Sequence, residues 1–133
     1  MALTADRNTQ MKDGELIAVP VAANAVIHAG ALVAANATGY AVPGAVATTL
    51  TYLGRAEEAA DATGYADGVA TVQVRRGKAF KFKNSGADPV TQASLGKVCY
   101  IVDDETVAAT NGSGTRSAAG IVLGIDADGV WIK

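Results

Sequence analysis

The sequence predicts an all-β protein, a small β-sandwich or β-barrel-like domain preceded by an extended N-terminal arm. Three observations carry this. Strand-length apolar runs rich in Val, Ile and Ala recur along the chain, and Gly, Asn or Asp separates one from the next. An Asx residue is followed three places later by Gly in "NATG" (36–39), "DATG" (61–64) and "DADG" (126–129), the pattern of a turn that ends at a glycine of positive φ. Half of the 133 residues are hydrophobic, yet with two Phe and one Trp the core must be built from small side chains. One domain suits this length.

Residues 1–13 are polar and aperiodic and read as an arm, with the domain at 14–133. The strands that follow are "LIAVPVA", "AVIHAG", "ALVAAN", "YAVPG", "LTYLGRAEE", "VATVQVRRG", "KAFKFK", "VCYIVD", "TVAAT", "AGIVLGI" and "VWIK". Pro20 and Pro43 belong on edge strands or strand ends, since proline cannot donate to a ladder. Val72 and Val74 are in phase with Phe80 and Phe82, so the two pairs are expected on one face, with Gly77 a bend, a bulge or a hairpin tip between them. "DPVTQASLGK" is the best helical candidate, with Asp88 as N-cap, Pro89 at the first helical position and Gly96 as the stop. "VDDET" and "DADG" read as hairpin turns, and positive φ is expected at Gly39, Gly64 and Gly129. "NGSGTRS" (111–117) is the most flexible internal loop by composition.

The net charge of −2 gives no general pull toward nucleic acid or an anionic membrane. No apolar run approaches the ~18 residues of a membrane span, and the N-terminal residues have no signal-peptide pattern. The single cysteine, Cys99, excludes an internal disulfide framework and suits a reducing cytoplasm. It lies in an apolar strand, where burial disfavours a thiolate, so the one available dyad, Cys99 with His28, argues against nucleophilic catalysis. There is no G-x-S-x-G, and "LGK" at 95–97 lacks the glycine and hydroxyl of a phosphate loop. "DADG" lacks the downstream Glu of a calcium loop, and "DDE" at 103–105 reads as a solvated turn. The expectation is no enzyme, no metal and no cofactor.

The densest charge is Arg75, Arg76, Lys78, Lys81 and Lys83, interleaved with Phe80 and Phe82 at strand spacing. Such a cluster is either an exposed strand face or a docking patch for an acidic protein surface, with nucleic acid ranked third. In the arm, Leu3, Arg7 and Met11 are candidates for lying across a neighbour.

One pattern is more specific than a small β-protein. "GELIAVPVAANAVIHAGALVAANATGYAVPG", then "ADGVATVQVRRGKAFKF", then "SLGKVCYIVDDETVA" and finally "AAGIVLGIDADGVWIK" resemble, in order and spacing, the capsid decoration or cement proteins encoded in the head modules of tailed phages and prophages. The resemblance covers about residues 14–133 and contains no catalytic signature. It implies a structural virion component, made in the bacterial host cytoplasm and bound to the outer head surface, that clamps neighbouring major capsid subunits. It also implies a homo-oligomer, a trimer first and a dimer second. The alternative from a different class is a carbohydrate- or ligand-binding β-module, suggested by Tyr40, Tyr65 and Trp131 beside turns.

Overall fold

The computed structural model describes residues 2–133; Met1, the first residue of the expected arm, lies outside the described residues. Residues 2–14 are exposed and contribute no strand. The strands, in chain order, are β1 (Leu16–Pro20), β2 (Val26–Ile27), β3 (Leu32–Ala35), β4 (Ala41–Pro43), β5 (Thr51–Ala56), β6 (Ala60–Asp61), β7 (Thr71–Arg75), β8 (Phe80–Asn84), β9 (Val98–Ile101), β10 (Thr106–Ala108), β11 (Ala118–Asp126) and β12 (Gly129–Ile132). They form an open five-stranded sheet, β1-β7-β5-β3-β4, a closed barrel, β10-β8-β12-β11-β9, and a short β2-β6 pair. The protein is all-β, with an open sheet and a barrel combined in one chain.

The register explains both strand prolines. Arg76 N–H donates to the Glu15 carbonyl at 2.7 Å and Val21 N–H to the Ala70 carbonyl at 2.8 Å, so the odd-numbered residues along β1 bond β7. Because bonded and non-bonded pairs alternate in an antiparallel ladder, the Pro20 nitrogen points away from β7, where no N–H is needed. The same holds in β4: Gly44 N–H donates to the Leu32 carbonyl and Asn36 N–H to the Tyr40 carbonyl, which leaves Pro43 at a non-bonded pair with Val33. The two edges of the open sheet touch at a parallel bridge, Val21 with Ala41.

Two cores result, and β3 serves both. Leu32 and Ala34 enter the barrel core with Phe80, Phe82, Ile101 and Ile132, while Val33, on the opposite face, joins the open-sheet core with Val21, Ile27, Val72 and Val74. This corrects the expectation that Val72 and Val74 share a face with Phe80 and Phe82. Residues 76–79, with Gly77 at φ 73°, carry the chain from one sheet to the other, so alternation along β7 is not continued into β8.

The expected helix is reduced to a 3-10 turn, Gln92–Ser94, with Thr91 and not Asp88 at its N-cap. Val90 is the reason. Its N–H donates to Asn84 Oδ1 at 2.7 Å and its carbonyl accepts from Asn84 Nδ2 at 2.8 Å, which pins it beside β8 with its side chain in the barrel core. Asp88 instead accepts from the Thr110 hydroxyl at 2.6 Å and pairs with Arg116 at 2.8 Å. Those bonds, with Gly114 N–H on Asn111 Oδ1 and Ser117 Oγ between Ala47 O and Leu50 N, tie down the 111–117 loop.

Both carboxylate-rich turns close hairpins, β9–β10 and β11–β12. Gly39 and Gly64 have the expected positive φ, 89° and 80°. Gly129 does not. It is confined by space, since a Cβ there would sit 2.6 Å from Lys81 Cγ and 2.8 Å from the Phe82 carbonyl oxygen.

Candidate docking surfaces

The residues able to do covalent chemistry are kept apart. Cys99 is buried in the barrel core and its Sγ donates to the Gly120 carbonyl at 3.4 Å; burial pushes the thiol up to about 12. His28 is exposed and lines a hollow with Asp104 and Glu105. Among the described residues no group of three or more His, Cys, Asp or Glu side chains is placed to hold a metal ion. No helix among them is long and apolar enough to cross a membrane. Native Cys99 is therefore expected to resist iodoacetamide at pH 8 and to label readily once the protein is unfolded. Rapid native labelling, followed by mass spectrometry, would contradict the buried assignment.

The basic cluster is divided and largely neutralised. Arg75, on β7, and Arg55, on β5, both contact Glu57 at 2.6 Å, and hydrogen bonds from Arg75 and then Arg55 hold that carboxyl below its usual range. Lys78 pairs with Glu15 at 3.4 Å, Lys81 with Asp128 at 3.0 Å and Lys83 with Glu105 at 2.6 Å. Arg76 makes no ion pair among the described residues. Exposed pairs such as these contribute little energy, but they cancel the field that a patch for an acidic partner requires. Lys81 and Lys83 belong to the barrel's outer wall, whereas Arg76 and Lys78 border a cleft.

That cleft, of about 430 Å³, opens where β5, the 76–80 crossover and the start of β11 meet. Leu50, Leu53, Phe80, Ala119 and Ile121 supply its apolar lining. Tyr52 also lines it, but its hydroxyl is buried without a hydrogen-bond partner among the described residues, and burial raises its pKa. Leaving a buried hydroxyl unpaired costs about 1–3 kcal/mol, so Tyr52→Phe is expected to raise stability by about 1 kcal/mol in urea denaturation. A loss of similar size would show that the hydroxyl is satisfied in solution.

A second surface lies on the barrel's outer wall. With Cys99, Val122, Val130 and Ile132 facing the core, alternation turns Val98, Ile121, Leu123 and Trp131 outward, and all four are substantially exposed. Val98 pairs with Ile121 across β9 and β11. Leu123 is the extra residue of a β-bulge, between the Val122–Ile132 and Gly124–Trp131 pairs, and is 51% exposed. Exposed Leu95 precedes Gly96, whose N–H bonds the Val122 carbonyl, and so borders the same wall.

Trp131 Nε1 donates to Asp126 at 2.8 Å and Lys81 Nζ lies 5.6 Å from the ring centroid, so one ring face is already covered. Of the other turn aromatics, Tyr65 is half exposed, while Tyr40 is half-buried and packs near Gly68. In the arm, Leu3 is 72% and Met11 98% exposed, and Arg7 is exposed between them.

Comparison with protein families, with curated proteins and with solved structures finds no match.

Proposed function

We propose that this chain is a capsid decoration protein, which binds the outer surface of a phage head and clamps neighbouring major capsid subunits, working as a homo-oligomer of three copies or, failing that, two. The reading begins from the order and spacing of the segments that resemble phage cement proteins. The observation that carries it is the barrel's outer wall: Val98, Ile121, Leu123 and Trp131 leave contiguous apolar surface on a compact β-domain, a feature that marks association with another macromolecule. Weak contacts of this kind suffice, because an oligomer that touches several shell subunits at once gains avidity without any single strong site. No reaction is assigned.

The test is co-sedimentation with purified heads of the phage or prophage whose head genes accompany this coding sequence. Saturable pelleting with expanded heads, lowered about tenfold in affinity by Leu123→Glu with the melting temperature unchanged, is expected. Equal pelleting of wild type and Leu123→Glu, or none of either, would refute the proposal.

A further inference from the structure

The arm and the cleft are both unpartnered, and they meet at one rim. The Glu15 carbonyl accepts the Arg76 N–H at 2.7 Å and its carboxylate lies 3.4 Å from Lys78, so the arm leaves the domain beside two residues that border the cleft. At this root Asp13 Oδ1 accepts the Glu15 N–H at 3.0 Å, a local turn that fixes the departure of the chain. Beyond it no hydrogen bond or ion pair among the described residues joins residues 2–12 to the domain; Met11 is almost wholly exposed and Leu3 mostly so. The cleft meanwhile offers Leu50, Leu53, Phe80 and Ile121 around a volume that a large aliphatic side chain fits.

We infer that the arm of one copy docks in the cleft of a second copy, with Leu3 seated among the apolar lining residues and Asp6 facing Arg76. Reach supports this. From Glu15 back to Leu3 the extended chain spans ~40 Å, at ~3.3 Å per residue. A domain of this length has a radius of gyration of about 14 Å, so the arm crosses to a neighbour with length to spare. Symmetry supports it as well: because root and cleft share a rim, a rotation axis beside that rim brings each root next to a neighbouring copy's cleft, and the exchange closes cyclically in a trimer and reciprocally in a dimer. Charge agrees, since Arg76 is the member of the basic cluster that no carboxylate of its own chain neutralises among the described residues, and Asp6 lies three residues from Leu3. The inference concerns copies free of any shell, so its failure and the failure of head binding are distinguishable.

The experiment mixes a tagged copy carrying Leu3→Cys with an untagged copy carrying Ile121→Cys, under mild oxidation, and reads the mixed disulfide on a non-reducing gel; native Cys99 is buried and stays out of the reaction. Lys78→Cys replaces Ile121→Cys if the latter lowers the melting temperature. A tagged–untagged crosslink is expected, falling about two- to fivefold with Asp6→Arg and recovering when Arg76→Asp is added to the cleft copy. Deleting residues 2–12 is expected to shift light scattering toward the monomer with the far-UV circular dichroism of the folded domain unchanged. A monomeric full chain at 50 µM, or no mixed crosslink at either position, would overturn the inference.

Discussion

Gly54→Ala is expected to destabilise the protein by about 3 kcal/mol or more, a large share of the 5–15 kcal/mol typical of a domain. Gly54 lies inside β5 at φ 150°, where an L side chain is strained. A methyl group on it would run into the Arg75 carbonyl oxygen of β7 and lie 3.4 Å from Val74 Cγ1. The position also follows a register shift, since β3 pairs Val33 with Gly54 but Ala34 with Tyr52. Three strands therefore converge where only a bare Cα fits, and no rotamer relieves a clash with backbone. Gly86→Ala is the control, because a Cβ there meets nothing within 4 Å. A urea midpoint for Gly54→Ala indistinguishable from that of Gly86→Ala would contradict the close approach of β5 to β7.

Leu32→Ala is expected to cost about 3–4 kcal/mol, the range for a fully buried leucine whose site cannot collapse. Leu32 is completely buried, and it belongs to the barrel core although its strand is hydrogen-bonded into the open sheet. Its N–H also donates to the Asp104 carbonyl in the β9–β10 turn at 2.8 Å. Removing the side chain opens a cavity at the joint between the two cores, with both backbones still attached. Because β3 lends alternate residues to each core, the two are expected to unfold together, so Trp131 fluorescence, which reports the barrel, and far-UV circular dichroism should share one midpoint in wild type. Separate midpoints would mean that the cores are energetically independent, and a loss below about 1 kcal/mol in Leu32→Ala would mean that Leu32 is not packed in the barrel core.

Local rules brought the sequence reading a long way. The β-rich class, both proline edges, the hairpins at "VDDET" and "DADG" and the positive φ of Gly39 and Gly64 all depend on a few consecutive residues, and each is present. Alternation tells which side of a strand an apolar residue faces; it does not tell which sheet the strand joins. That is why alternation alone puts Val72 and Val74 on the face of Phe80 and Phe82, although β7 and β8 line different cores. The Asp88 cap misled for a related reason: its partners, Thr110 and Arg116, are 22 and 28 residues away, and nothing local announces them.

The surfaces were legible only in part. Leu3, Arg7 and Met11 lack apolar periodicity, and all three are exposed. The basic cluster looked continuous because its neutralising carboxylates are distant in sequence, with Glu57 18 residues from Arg75 and Asp128 47 residues from Lys81. The cleft draws on residues 50–54, 76–80, 118–121 and 133, a grouping that only the crossover between the sheets creates. The bulge at Leu123 changes the phase of β11, so that Val122 and Ile125 both pack toward the barrel core, and no turn residue in "IVLGI" other than Gly124 signals it.

The proposed coating of a phage head by this chain is open to direct observation. Its most direct measurement is an electron cryomicroscopy reconstruction of expanded heads produced with the coding sequence intact and with it deleted. Density the size of this domain is expected on the outer surface where capsid subunits meet, in oligomers of three or two, and absent from the deletion heads. Identical outer surfaces in the two reconstructions would contradict the account.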